Sequence, residues 1–214
     1  MELGLKDKRA LVTGGSHGIG LAILNLLREE GCDVHSISRR EGFDVLNPDD
    51  MERVLATFKD IDILINNVGG GGRWGTQNPL GAEEGVWSQV YEKNAVTAMR
   101  FTMTLLPYML TQKWGRVVTI ASIYGREGGG RPWFNMAKAA EISLMKCLAL
   151  HYKDSGVTFN SVAPGLISIS GIACEGKGGT PEDVANLVVF LCSEKASLIS
   201  GACIAIDGGE GRSF

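Results

Sequence analysis

Nowhere does this chain carry an apolar run approaching the ~18 residues that a membrane span requires, and nowhere are five or more basic residues gathered together. The first absence argues against an integral membrane protein. The second argues against nucleic acid as a partner, because a phosphate backbone is bound by clustered Lys and Arg; the formal net charge is −3 and the pI is near 5.7. Cysteines are few and unpaired in pattern: Cys32, Cys147, Cys174, Cys192 and Cys203 are odd in number and include no Cys-x-x-Cys. That suits reduced, mostly buried thiols in a cytosol. The histidines His17, His35 and His151 have no ligand spacing, so no metal is expected. Met1 to Arg9 is polar and lacks the apolar core of a signal peptide, so the expected location is cytoplasmic.

What is present is a strand-and-helix rhythm. The 214 residues read as a single domain spanning 1–214, with 44% hydrophobic and 21% charged residues in ordinary globular proportion. Its 29 glycines sit at the ends of apolar segments rather than in low-complexity tracts. Apolar runs predict strands at Arg9–Thr13, Cys32–Ser38, Ile61–Asn66, Arg116–Ser122, Val157–Ala163 and Ala202–Ile206. Between them, helical spacing and start or stop signals predict helices over Ile19–Glu30, Pro48–Lys59, Glu84–Leu110, Trp133–Asp154 and Pro181–Ser193, the third of these bent near Pro107. Nearly all-apolar strands alternating with helices indicate an α/β fold: a Rossmann-like, doubly wound parallel sheet flanked by helices. A further small strand is expected around Phe43-Asp44-Val45, but too few residues separate it from Ser38 for a crossover helix, so one helix of the usual arrangement is missing there.

Thr13-Gly-Gly-Ser-His-Gly-Ile-Gly20 follows the first strand and opens the first helix. Gly14, Gly18 and Gly20 let the chain turn tightly and let a diphosphate approach the helix N-terminus, where free N–H groups and the dipole favour anions. With Asn66-Asn-Val-Gly69 after a later strand, Asn94 in the long helix, Ser122, Lys138, Pro164-Gly165 and the terminal Asp207-Gly-Gly, the chain resembles the short-chain dehydrogenase/reductase family along its whole length. The resemblance implies a nicotinamide dinucleotide held by Gly14, Ser16, His17, Gly18, Ile19 and Gly20, by Ser38, Arg39, Arg40, Asp44 and Val45, and by Asn66, Val68 and Gly69. Lys138, Pro164, Gly165 and Ile167 complete that set. An acid at the end of the second strand would bond the ribose of NAD, whereas Ser38-Arg39-Arg40 offers guanidinium forks suited to a 2′-phosphate. NADP is therefore favoured, with NAD as the alternative.

The family passes a hydride between nicotinamide and a carbonyl carbon while a tyrosine supplies the proton. A lysine four residues later lowers that tyrosine's pKa, a serine holds the substrate oxygen, and an asparagine positions a relay water. Asn94, Ser122 and Lys138 carry over as catalytic residues; the tyrosine position holds Phe134, which has no hydroxyl. Three readings follow. Ser122, a water or Tyr124 substitutes as proton donor, leaving a slow or specialised ketoreductase; or the chain is a catalytically silent dinucleotide-binding sensor, scaffold or partner subunit; or Phe134 is an engineered Tyr-to-Phe change. The loop from Leu166 to Thr180 is short for the family's lid and has Ile169, between Ser168 and Ser170, where the lid-start threonine belongs. Arg73 and Trp74, and Arg126 and Arg131 around Gly128–Gly130, are placed to meet an anionic or planar group or to sit solvated in loops. The expected partners are a small carbonyl or alcohol substrate and further copies of the chain, since the family forms homodimers or homotetramers through the two long helices.

Overall fold

Nearly continuous apolar strands, whose successive side chains point to opposite faces, build a sheet covered on both sides. In the computed structural model, which describes residues 2–71, 75–76, 78–168 and 178–213, six strands run parallel: β1 Arg9–Thr13, β2 Asp33–Ile37, β3 Ile63–Asn66, β4 Gly115–Ile120, β5 Val157–Pro164 and β6 Cys203–Ile206. Their spatial order is β2-β1-β3-β4-β5-β6. Val12, Ile63, Ile65, Val118 and Val162 point to one face, where they meet α1 (Gly18–Glu29) and α6 (Pro181–Cys192). Leu11, Leu64, Val117 and Phe159 point to the other, against α2 (Pro48–Thr57), α4 (Thr97–Gln112) and α5 (Pro132–His151). Side chains alternating across a pleat that is buried on both sides require this near-continuous apolar reading. All eight residues of β5 are buried. Among the described residues, no helix is long and apolar enough to cross a membrane.

Two expectations need correction. Phe43-Asp44-Val45 is not a strand: residues 39–41 make one 3₁₀ turn, and the chain then leads directly to α2, whose N-cap Asn47 accepts hydrogen bonds from Asp49 N and Asp50 N. The reason is length. A parallel neighbour for β2 needs a crossover of a dozen or more residues, and five cannot supply it. Both the helix and the edge strand it would have fed are absent, which leaves β2 at the edge. The long helix is also irregular elsewhere than at Pro107. It divides into α3 (Glu84–Tyr91), a π turn over Glu92–Val96 and α4, which runs on through Pro107. Asn94 Nδ2 takes the Val90 carbonyl at 2.7 Å and Thr97 Oγ1 takes that of Glu92 at 2.9 Å, so side chains satisfy the carbonyls the wider turn releases.

Of the cysteines, Cys32 and Cys192 are buried, Cys203 is half-buried, Cys147 is exposed, and all four are free. Burial pushes the Cys32 thiol up to about 11 and that of Cys192 higher still, which keeps both inert. Cys174 lies outside the described residues.

Candidate active site

Every strand ends at the same pole, and the singled-out residues lie just beyond those ends. Strands β1 and β3 are neighbours whose connections leave in opposite directions, the arrangement that opens a crevice at the carboxyl ends of an α/β sheet. After β1, Gly14 adopts φ +74° and Gly18 φ +54°. A Cβ on Gly20 would lie 2.3 Å from the Gly14 carbonyl oxygen and 2.5 Å from Asn67 Nδ2, so no side chain fits. Asn67 fastens this turn from the β3 side: Nδ2 donates to Thr13 O (2.9 Å) and Gly14 O (3.1 Å). Thr13 Oγ1 accepts from Asn67 N and Val68 N. The two loops form one unit with the N-terminus of α1 opening into it. Ser16 Oγ and His17 Nδ1 lie 3.2 Å apart at that terminus, while Ile19 packs into the α1–α6 core.

Asn66 and Asn67 face opposite ways, as adjacent residues at a strand end do. Asn66 Nδ2 donates to Thr102 and Thr119 on the α4 side. Asn67, not singled out by sequence reasoning, does the fastening; only the doubled asparagine signalled it.

Beyond β2, Ser38 is buried, and its Oγ has no hydrogen-bond partner among the described residues. Arg40 Nη1 donates to Ser16 O at 3.2 Å, bringing its guanidinium against the glycine turn. Lys93, also unmarked by the sequence, reaches the same region: burial first, then the charge of Arg39, holds its ammonium below the usual lysine range, with Asp44 acting in the opposite sense. Asp44 Oδ1 accepts from Leu46 N, and Val45 is buried beneath with α2. A glycine turn at a helix N-terminus, a buried hydroxyl with no partner and three cations make a donor set that fits an elongated anion of the dinucleotide class.

The other end of the cleft lies between β3, β4 and α5. Gly69 must be glycine, because a Cβ would stand 2.6 Å from Asn94 Oδ1 and 3.1 Å from Lys138 Nζ. Asn94 clasps the next residue, accepting from Gly70 N (3.1 Å) and donating to Gly70 O (2.9 Å). Lys138 is buried, and its Nζ donates to Ile120 O (2.9 Å) and to Glu141 Oε2 (2.9 Å). Glu141 is only 1% exposed, and burial drives its carboxyl up to about 7 against the pull of Lys138. Sequence reasoning missed it; an acid three residues after a helical lysine ordinarily reads as a solvated pair. The Phe134 ring centroid is 5.7 Å from Lys138 Nζ, and the ring packs with Val90, Trp133 and Ala137.

Ser122 caps the turn after β4, its Oγ accepting from Tyr124 N at 3.2 Å. Ser122 and Tyr124 line a cavity of about 640 Å³ with Arg131, Leu166 and Glu210. Gly165, after Pro164, donates its N–H to Ile206 O, and Ile167 forms a parallel bridge with Gly179. The structure therefore brings Asn94, Lys138 and Gly69 into contact and Ser122 into the adjoining cavity. Arg73, Trp74, Ile169 and Ser170 lie outside the described residues.

A family model described as enoyl-(acyl carrier protein) reductase matches residues 42–210. The chain is 31% identical to 3-oxoacyl-(acyl-carrier-protein) reductase FabG of Vibrio cholerae serotype O1 over 245 aligned positions, covering 97% of this chain and 98% of that protein. FabG of Aquifex aeolicus is 32% identical over 251 positions, covering 98% and 99%. A solved short chain dehydrogenase/reductase family protein superposes with a TM-score of 0.86 at 25% identity over 98% of each chain. Alignments longer than 214 positions mean that these relatives carry residues this chain lacks, in keeping with the abbreviated connection after β2.

Proposed function

Because the chain belongs to the short-chain dehydrogenase/reductase family, we propose that it binds a nicotinamide dinucleotide, NADP in preference to NAD, and interconverts a carbonyl and an alcohol with an impaired proton transfer. The observation that carries this reading is the joined unit of glycine turn and Asn67 loop, with Lys138 and Asn94 at its far end and Arg39, Arg40 and Lys93 at its near end. The nicotinamide would supply or accept the hydride. The α1 N-terminus would hold the diphosphate and Ser38 Oγ the adenosine ribose, Arg39 and Arg40 would meet the 2′-phosphate, and Lys138 would hold the second ribose. Ser122 Oγ would orient the substrate oxygen at the mouth of the cavity. Phe134 stands where the family's phenol belongs and cannot donate a proton.

General acid catalysis is worth roughly 10²- to 10⁴-fold in rate, and this chain, with Phe134, lacks its usual source. A silent dinucleotide-binding role is the second reading, favoured by that same ring. Fluorescence titration with NADPH and NADH, followed by NADPH oxidation across a carbonyl panel, separates the two. Tighter binding of NADPH, with measurable turnover that rises at least tenfold in Phe134→Tyr, supports the reductase. Binding without turnover in either chain supports the silent role, and no binding of either nucleotide at saturation removes both. Met99 and Met103 on α4 and Met136 on α5 are exposed apolar side chains on the long helices, and a homo-oligomer built there would give a multiple of the 22.9 kDa chain mass by light scattering.

A further inference from the structure

Glu141 is a buried carboxyl to which the chemistry above gives no task. It projects from α5 one turn beyond Lys138 and presents both oxygens to that ammonium, at 2.9 Å and 3.3 Å. The remaining partner of Nζ is the Ile120 carbonyl at the carboxyl end of β4, so Lys138 is held between a backbone oxygen and a carboxylate on the wall of the cleft. Among the described residues, no other formal charge is in a position to balance it. Strand β5 offers no charged side chain. Strand β4 offers only Arg116, near its opposite end, where the guanidinium is held by the carbonyls of Gly115, Gly156 and Ser193. The 3₁₀ turn Ile123–Gly125 after β4 contributes Tyr124; of the charged residues that follow it, Arg126 acts on Cys203, Glu127 accepts from Arg212 N and Ser213 N, and Arg131 donates to Gly75 O. From the π turn, Glu92 pairs with Arg100 of α4, while Lys93 is turned toward Arg39 and Asp44. On α3, Glu84 and Tyr91 are exposed.

Resting on the reading of the site as a dinucleotide cleft, we propose that Glu141 is a positioning residue that acts through Lys138: a counter-ion fixed beneath the lysine that neutralises its charge toward the reacting end of the cleft and makes that charge available only when the carboxyl is protonated. The geometry makes the effect directional. The Phe134 ring lies 5.7 Å from Nζ, close enough for an uncompensated ammonium to act strongly on any acid placed there. With a carboxylate 2.9 Å from the same nitrogen, an acid at that position meets a near-neutral pair instead. The carboxyl's ionisation, displaced to about 7 by burial, falls where such a device responds to ordinary changes of pH.

Two measurements test this, one without ligand. The phenol introduced by Phe134→Tyr is titrated by its tyrosinate absorbance, as a difference against the matching phenylalanine chain, in the wild-type and Glu141→Gln backgrounds. The phenol is expected to titrate about one pH unit lower in the glutamine background. If the glutamine chain fails to fold, Phe134→Tyr alone decides: its phenol must titrate at or above the ~10 of free tyrosine, and a clearly lower value would overturn the proposal. The second measurement is the Kd of NADH for the wild-type and Glu141→Gln chains from pH 6 to 8.5. Wild-type affinity is expected to fall three- to tenfold relative to the variant as pH rises through neutrality; His17 is common to both chains and cancels in the comparison. An unshifted phenol with parallel binding curves removes the counter-ion and leaves the dinucleotide reading standing. A shifted phenol in chains that bind no dinucleotide keeps the counter-ion and removes that reading.

Discussion

At Gly20 one added methyl group would stand 2.3 Å from the backbone oxygen of Gly14 and 2.5 Å from the amide that fastens the turn. Neither can give way without opening the loop. Gly20→Ala is therefore expected to weaken dinucleotide binding at least tenfold and to cost about 1–3 kcal/mol of stability, as overpacking does, both readable from a titration and a denaturant melt. Glu141 makes a second prediction at this scale. Its carboxyl is raised from 4.5 to about 7, so between those pH values the folded chain keeps a proton that the unfolded chain has released. Stability consequently falls as pH rises through that window, by on the order of 3 kcal/mol in all. Glu141→Gln should match the wild type near pH 5 and be the more stable chain at pH 8, in thermal melts followed across the range. A variant less stable at pH 8 would show that the ion pair outweighs the burial of its carboxylate.

At the scale of elements, the α3–α4 helix is broken beside the cleft. The π turn over Glu92–Val96 lets Asn94 turn its amide toward Gly70 while still capping Val90 O. Asn94→Ala leaves a backbone N–H and two carbonyls without these partners, at an expected cost of about 2 kcal/mol, and frees the loop that Gly69 and Lys138 share. Weaker dinucleotide binding should accompany the lower melting temperature; a variant that binds normally would confine Asn94 to a structural role. The truncated connection after β2 works at the same scale. Without the edge strand, Arg39 and Arg40 sit on a single 3₁₀ turn, and one hydrogen bond from Arg40 to Ser16 ties that turn to the glycine loop.

Across the whole molecule the two poles of the sheet divide the work. The carboxyl ends of the strands carry the cleft; the amino ends carry Arg116, only 2% exposed, bonded to Gly115, Gly156 and Ser193 and 3.7 Å from Glu194. That guanidinium joins β4, the approach to β5 and the end of α6, with Trp114 stacked against it at 4.4 Å. Arg116→Met strands three carbonyls and should cost about 3–5 kcal/mol. Its folded fraction should nonetheless bind dinucleotide as tightly as wild type, because nothing it touches lies at the cleft. A fluorescence titration below the variant's melting temperature distinguishes the two effects.

Nearly all-apolar strands alternating with helices were enough to specify a doubly wound parallel sheet, because a strand buried on both faces leaves almost no other pattern open to it. The glycine turn is written in local spacing, whereas Asn94, Ser122 and Lys138 were singled out through the family resemblance; the structure sets Asn94 and Lys138 beside Gly69 and Ser122 in the adjoining cavity. Contacts between distant segments were not legible. That Asn67 rather than Asn66 fastens the turn depends on which face of β3 each residue takes, and that Phe43–Val45 forms no strand depends on the reach of five residues across the edge of a sheet. The partner of Lys138 was hidden for a related reason: Glu141 is one helical turn away in sequence, yet only the packing of α5 against β4 and β5 takes both charges out of water and turns a common surface pair into a buried one.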